Sequence, residues 1–141
     1  GRTGDPPGSR WHGDARGAAD RLRARHAGGA ARLWDRAGEG DAPILFDRGF
    51  ADIVGFLRLE GLAVPPAIDA ACREYRYEGP VFHAPPWREI YRQDHERIQS
   101  WEEAVESDAA VLGAWRDYGY SPITLPFTDP AARAGFVIER L

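Results

Sequence analysis

The sequence has no lysine and no methionine, and both absences restrict what the chain can do. All eighteen basic residues are arginine. Chemistry that needs a lysine amine is therefore excluded, including Schiff bases and the phosphate-binding lysine of a Walker A loop. Because methionine is missing even at position 1, we interpret the sequence as a fragment, a processed chain or one with an unusual start.

Cysteine and long apolar runs are also scarce. The single Cys72 excludes an internal disulfide framework and favours a reducing, cytoplasmic location. No apolar run approaches the roughly 20 residues that span a bilayer, and we expect no membrane partner. A net charge of −4 does not favour general nucleic-acid binding. The 141 residues, 43% of them hydrophobic, are sufficient for one domain with a modest core.

Three short apolar segments bounded by turn residues predict an α/β fold. They are the expected strands over residues 44–46, 80–86 and 121–126. Helical patterns separate them, over residues 14–37, 52–60, 67–75, 87–99 and 100–119, with a last helix after residue 129. Strands separated by helices predict parallel pairing through right-handed crossovers.

Local signals indicate where the helices begin and end. Asp52 is a predicted N-cap and Gly61 a predicted helix stop. Ser100 and Glu103 fit a capping box. Asp129 is expected to cap the last helix, whose first residue is a proline. One face of the long helix is predicted to carry Trp101, Val105, Leu112 and Trp115.

Asp47 and Arg48 follow the first predicted strand and are the main candidate site residues. In open α/β sheets, ligands bind at the carboxyl ends of the strands. A carboxylate there can hold a metal-bound water or take a proton, and an arginine beside it can bind a phosphate through two hydrogen bonds. The alternative is structural, with Asp47 capping a helix and Arg48 lying on the surface.

A second group of charges occurs in the helix predicted over residues 87–99. Arg88 and Arg92 are four residues apart and so share a helix face, and Arg97 falls near that face. Arginines on a helical segment above strand ends are typical of a phosphoryl-transfer lid, because they neutralise charge on the transferring group. The alternative is a solvated helix whose acidic residues balance the arginines.

The remaining histidine and cysteine positions give weaker indications. His83 ends the second predicted strand and is interpreted as a packed or hydrogen-bonded side chain. The four histidines and Cys72 show no metal-ligand spacing. The tyrosines and tryptophan between residues 75 and 91 are expected to pack rather than to stack on a base.

Several segments occur in the order found in a known family. They are Ile44-Leu45-Phe46-Asp47-Arg48-Gly49, Gly61-Leu62-Ala63-Val64-Pro65-Pro66, Tyr75-Arg76-Tyr77, Val81-Phe82-His83-Ala84-Pro85-Pro86-Trp87, Glu89-Ile90-Tyr91, Gln93-Asp94 and Glu96-Arg97. Over residues 43–126 the chain resembles the C-terminal two-thirds of predicted bacterial P-loop ATPases. These AAA-type proteins are similar to the nicotinamide-riboside-kinase and nucleotide-kinase group.

The resemblance implies a three-layer α/β/α kinase-like domain that uses ATP and Mg²⁺. Asp47 would be the catalytic acidic residue that contacts the magnesium ion through water or contacts the substrate hydroxyl, and Arg48 would bind a phosphate of the substrate or nucleotide. The lid would cover residues 87–99, with Arg97 as its catalytic arginine and Arg92 and Arg88 also binding phosphate. The implied partner is a nucleotide or a phosphorylated small molecule.

The chain departs from the family because it lacks the strand and the glycine-rich loop with its lysine. We therefore expect a mobile lead-in over residues 1–13 and one partial domain over residues 14–141, with about three strands and five to six helices. Mg-dependent ATP hydrolysis or phosphoryl transfer is expected of the longer relatives and not of this truncated chain alone. The alternative is a non-catalytic module that binds a phosphate-bearing ligand or a protein.

Overall fold

The computed structural model describes residues 40–92 and 99–141. The chain divides into two units, Gly1–Ile44 and Leu45–Leu141. In the first unit only residues 40–44 are described, and all five are exposed. The lead-in predicted over residues 1–13, the helix predicted over residues 14–37 and Arg97 lie outside the described residues.

The second unit contains the helices and strands that the structure describes. In chain order they are α1 (Phe50–Leu59), α2 (Pro66–Glu74), β1 (Phe82–His83), a 3-10 helix (Arg88–Ile90), α3 (Trp101–Asp117), β2 (Ile123–Thr124) and α4 (Pro130–Ile138). No helix in these described ranges is both long and apolar enough to cross a membrane.

The two strands form a small parallel sheet. Phe82 lies opposite Ile123, and His83 lies opposite Thr124. The amide of Ile123 donates to the carbonyl of Val81 at 2.8 Å, which holds the register. The prediction of helices mixed with parallel strands is confirmed for these two strands.

The prediction of a buried strand over residues 44–46 is wrong. Residues 43–46 have no regular secondary structure, and Ile44 and Leu45 are 50% and 67% exposed. A buried strand needs a neighbour that satisfies its backbone hydrogen bonds. In the described residues the only strand pair is β1 with β2, so the apolar run has no sheet in which to lie.

The N-cap of helix α1 lies three residues earlier than the predicted Asp52. Its N-cap is Gly49, and Asp52 is the third helical residue instead of the cap. The Asp52 carboxylate still serves the helix end, because it accepts a hydrogen bond from the Gly49 amide at 2.9 Å. Gly61 follows the helix with φ of +67°, which confirms it as the helix stop.

The capping signals of the later helices are confirmed. The Ser100 hydroxyl accepts from the Glu103 amide at 3.1 Å, and the Glu103 carboxylate accepts from the Ser100 amide at 2.7 Å. This reciprocal capping box begins α3. The Asp129 carboxylate accepts from the Ala132 amide at 2.9 Å and begins α4.

The core lies where α1 packs against α2 and α3. Buried residues recur at helical spacing on α1 and are joined by a few small or apolar residues of the other helices: Phe50, Ala51, Ile53, Val54, Leu57, Ile68, Cys72, Ala104 and Ala114. The predicted face of α3 is wrong for Val105, which is 43% exposed. The buried residues of α3 are instead the small Ala104 and Ala114, because the helices approach closely.

Gly55 sets that close approach. A Cβ atom added at Gly55 would lie 2.6 Å from the Cα of Val111 on α3. Only a residue without a side chain fits there, so Gly55 marks the point where the two helices cross.

The α-helix predicted over residues 87–99 is wrong for the part that the structure describes. Arg88–Ile90 forms one 3-10 turn, and Tyr91 is extended. The hydroxyl of Tyr91 donates to the carbonyls of Gln99 and Ser100, at 2.5 and 3.0 Å. These tertiary contacts hold the segment out of a helix, so Arg88 and Arg92 do not share a helix face.

Candidate functional site

Asp47 and Arg48 occupy the turn that leads into α1, and both are exposed. Arg48 has φ of +70°, in the left-handed region that non-glycine residues seldom occupy. Its guanidinium lies 3.6 Å from the Asp52 carboxylate and 5.8 Å from the centre of the Phe56 ring. With 63% of its side chain exposed, Arg48 can exchange this weak ion pair for another anion.

Gly49 follows these two residues and is closely surrounded. A Cβ atom added there would lie 2.7 Å from the Tyr77 hydroxyl oxygen and 2.8 Å from the Trp115 ring. The glycine of the Asp-Arg-Gly segment is therefore needed so that two aromatic side chains can lie against the backbone.

The buried Asp52 accepts two hydrogen bonds that hold the start of α1 in place. Asp52 is 9% exposed, and its carboxylate accepts from the Trp115 indole N–H at 3.1 Å as well as from the Gly49 amide. Sequence reasoning assigned Asp52 only a capping role and did not find its link to Trp115. The two residues are 63 positions apart, so no local signal could have shown it.

Aromatic side chains pack around Tyr77 beside this helix end. Its ring lies 5.5 Å from those of Phe46 and Trp115, and its amide donates to the Tyr120 hydroxyl at 3.0 Å. Burial, followed by the nearby Tyr120, raises the pKa of Tyr77 to about 12. The Trp115 and Tyr120 rings also pack edge-on with their centres 4.9 Å apart, so these side chains form one packed aromatic cluster. The prediction that Tyr77 packs is confirmed.

Arg88 and Arg92 lie by the beginning of α3. Arg88 stacks over the Trp101 ring with its guanidinium carbon 5.2 Å from the ring centre. Tyr91 packs edge-on against the same ring at 5.4 Å. Arg92 donates to the carbonyl of Tyr91 at 3.1 Å. Neither arginine is held by a carboxylate within the described residues.

The structure does not bring the two groups of candidate residues together. Arg48 reaches Asp52, which is bonded to Trp115, whereas Arg88 stacks on Trp101. The two tryptophans stand at opposite ends of α3 and are separated by about 21 Å along its axis, at about 1.5 Å per residue. One phosphate group cannot contact both in this arrangement.

The carboxyl end of the parallel sheet carries a third set of side chains. His83 ends β1, and its Nε2 lies 2.7 Å from a carboxylate oxygen of Asp108 on α3. This contact confirms the prediction of a hydrogen-bonded histidine. Trp87 and Phe127, from the loops that leave β1 and β2, pack with ring centres 5.1 Å apart and ring planes tilted by 32°. Phe127 is 56% exposed and offers an aromatic surface to solvent.

A polar cluster joins α2 to the end of α3. The Asp69 carboxylate accepts from Arg73 at 3.0 Å and from the Tyr118 hydroxyl at 2.8 Å, and these bonds lower the pKa of Asp69. Burial raises the pKa of the Cys72 thiol, which keeps it protonated. Cys72 is therefore a poor nucleophile, and the cluster is structural.

The described residues offer few protein ligands for a magnesium ion. Among the described residues no group of three or more histidine, cysteine or acidic side chains could hold a metal. Asp47 offers one exposed carboxylate. Mg²⁺ commonly binds one or two carboxylates together with waters and substrate phosphates. A single carboxylate of this kind fits an ion that is held mainly by a nucleotide.

This arrangement of helices and strands does not by itself identify the class of protein. Comparison with known proteins does. A family model described as an AAA domain matches residues 8–133. No curated protein and no solved structure matches the chain significantly. The family match indicates a P-loop, nucleotide-binding domain of the ATPase type. The chain belongs to the AAA domain family.

Proposed function

We propose that this AAA-type domain binds a phosphate-bearing nucleotide and that the 141-residue chain does not turn over ATP by itself. The observation that carries the proposal is a family match over residues 8–133 in a chain without lysine. Phosphoryl transfer depends on positioning and on charge stabilisation, and the P-loop lysine contributes to both at the phosphates. Nucleotide recognition can persist without it, whereas turnover loses its main source of transition-state stabilisation.

Asp47 and Arg48 are the residues that we assign to the phosphates and the magnesium ion. Both are exposed and adjacent at the turn before α1. The Arg48 guanidinium pairs loosely with the Asp52 carboxylate, at 3.6 Å. An exposed ion pair of this kind contributes little stability. A phosphate can replace Asp52 as its partner and accept two parallel hydrogen bonds. Mg²⁺, when bound with the nucleotide, neutralises phosphate charge, and Asp47 would hold a water of its shell.

We assign Arg88, Arg92 and Arg97 to a lid, as the similarity to nucleotide-kinase-like proteins implies. Arg88 lies over Trp101, whereas Arg48 lies by the other end of α3, so this role would require Arg88 to move. The stacked guanidinium would have to leave the ring to reach the same phosphates. Cation–π pairs at exposed sites are weak enough for such an exchange.

A non-catalytic protein-binding role is the second candidate. It is favoured by exposed apolar side chains near the carboxyl end of the sheet, since Ile90 is 57% and Phe127 is 56% exposed. Replacing both by serine would abolish binding to a protein partner and leave ATP affinity unaffected if this candidate is correct. Loss of ATP affinity in that variant would instead assign the surface to the nucleotide.

Calorimetric titration with ATP, with and without Mg²⁺, tests the proposal. The chain must first be shown to be folded by circular dichroism. We expect saturable binding, weakened about tenfold by Arg48→Gln because a charge-assisted bidentate contact is lost. Asp47→Asn should weaken binding only when Mg²⁺ is present. Arg116→Gln removes an exposed arginine of α3 that is not assigned to the site, so it is the matched control for the lost charge. A folded chain that binds no ATP would overturn the proposal.

A further inference from the structure

The two carboxylate oxygens of Asp52 make separate contacts. Oδ2 accepts from the Gly49 amide at 2.9 Å and from the Trp115 indole N–H at 3.1 Å. Oδ1 takes part in neither of these bonds and lies 3.6 Å from an Nη atom of Arg48. One oxygen therefore holds the fold, and the other faces the arginine that we assign to the phosphates.

The contact between Asp52 and Arg48 is an attraction between charges without a hydrogen bond. An N···O distance of 3.6 Å is too long for a hydrogen bond. The Arg48 guanidinium also lies over the Phe56 ring, with its central carbon 5.8 Å from the ring centre. The Arg48 side chain is 63% exposed, so a ligand can reach it from solvent. An oxyanion can therefore offer Arg48 the hydrogen bonds that Asp52 does not form with it.

Asp52 cannot follow Arg48 when the arginine turns towards a ligand. The Asp52 side chain is only 13% exposed. The two hydrogen bonds on its Oδ2 atom tie it to the start of α1 and to α3. Its negative charge therefore stays in place, where it attracts Arg48 back and repels an anion that arrives at Arg48.

We propose that Asp52 is an internal competitor of the ligand: its Oδ1 atom occupies Arg48 in the unliganded chain and lowers the affinity of the site for phosphate. Asp52 is a positioning residue, because it acts on the ligand through Arg48. The inference rests on the proposed function for the assignment of Arg48 to a phosphate. It adds that the site is held in a self-inhibited state, from which a phosphate must displace the carboxylate.

The variant Asp52→Asn separates the two roles of the carboxylate. The amide oxygen of asparagine can take the position of Oδ2 and accept both hydrogen bonds, while its NH₂ group replaces Oδ1. Arg48 then loses its charged partner, and the turn keeps the bonds that hold it. We expect Asp52→Asn to bind pyrophosphate about fivefold more tightly than the original chain, a factor that matches the upper range for an exposed ion pair. Calorimetric titration without Mg²⁺ measures both affinities.

Two controls assign this gain to Arg48. Glu102→Gln removes an exposed negative charge near the other end of α3 and should leave the pyrophosphate affinity unchanged. Asp52→Asn in an Arg48→Gln background should gain nothing, because the competitor has no arginine to occupy. An equal gain in that background would overturn the inference. A damaged fold would weaken binding, so lost structure cannot account for a gain in affinity.

Titration with ATP separates this inference from the proposed function. If the original chain binds ATP and Asp52→Asn binds pyrophosphate no more tightly than the original chain, the inference alone is overturned. If Asp52→Asn gains pyrophosphate affinity through Arg48 but neither chain binds ATP, the inference is supported and the proposed function is overturned. Absence of pyrophosphate binding in both chains overturns the inference whatever the result with ATP.

Carbon-13 NMR of the original chain provides the test if Asp52→Asn does not fold. The signal of the Asp52 carboxyl carbon should shift when pyrophosphate saturates the site, because Arg48 leaves Oδ1. The same signal should not shift in Arg48→Gln. An unchanged signal in the original chain at saturation would overturn the inference.

Discussion

The carboxylate of Asp52 links the beginning of α1 to the Trp115 indole N–H on α3, at 3.1 Å. The same carboxylate accepts from the Gly49 amide at 2.9 Å, directly behind the exposed Asp47–Arg48 turn. One buried side chain thus fixes both the helix end and the turn that carries the candidate phosphate residues.

Replacing Asp52 should therefore destabilise the domain. Asp52→Ala removes a helix-capping interaction and leaves the Trp115 indole N–H without its acceptor, so we expect a loss of about 2–3 kcal/mol in the free energy of unfolding. Urea denaturation followed by tryptophan fluorescence measures it. Glu102→Ala, an exposed acid in the first turn of α3, is the control and should cost much less. Equal stability of the Asp52→Ala and original chains would contradict this role.

Gly55 and Gly113 give a paired test of the helix crossing. A methyl group at Gly55 would meet the Val111 backbone at 2.6 Å, so Gly55→Ala should push α1 from α3 and cost about 1–3 kcal/mol. Nothing lies within 4 Å of the corresponding position at Gly113 in the middle of α3. Gly113→Ala should therefore stabilise the chain by about 0.5–1 kcal/mol through helix propensity. The unfolding temperatures of the two variants should shift in opposite directions. Shifts in the same direction would contradict the helix crossing at Gly55.

Arg48 should show a conflict between stability and binding. Its φ of +70° is strained for an L-residue, and glycine adopts this conformation without cost. Arg48→Gly should therefore raise the free energy of unfolding by about 0.5–1 kcal/mol while it lowers ATP affinity. Arg48→Gln keeps the strain and should lower affinity without the gain in stability. A stabilised glycine variant with full ATP affinity would remove Arg48 from the site.

Asp69 should make stability depend on pH in the acid range. Hydrogen bonds from Arg73 and then Tyr118 hold the pKa of Asp69 below its ordinary value. Because the folded pKa is the lower one, the contribution is fully present above about pH 4 and is lost as the pH falls through the folded pKa. The stability advantage of the original chain over Asp69→Asn should thus shrink as the pH falls below about 4. Denaturant unfolding across this range measures it, and a constant difference would contradict the assignment.

Local signals in the sequence predicted local structure well. Ser100 and Glu103, and Asp129 with its following proline, fix helix starts through contacts over three residues, and the structure has them as predicted. The parallel pairing of β1 and β2 followed from the helices between them.

Features that depend on distant partners could not be predicted in the same way. The apolar run at Ile44 and Leu45 has the composition of a buried strand, but burial requires a neighbouring strand that the described residues do not provide. The 3-10 turn at Arg88 follows from contacts of its neighbour Tyr91 with Trp101 and the Ser100 carbonyl. The assignments of Asp47, Arg48, Arg88, Arg92 and Arg97 to a phosphate site stay predictions.

Phosphate release from saturating Mg–ATP by the purified, folded chain is the most direct test of the central claim. Nucleotide binding without turnover predicts no release above the rate in buffer, in a sample whose ATP binding has been established by calorimetry. Steady release that scales with protein concentration and disappears in Asp47→Asn would contradict the claim. Such a result would mean that a chain without lysine can still stabilise the transition state of phosphoryl transfer.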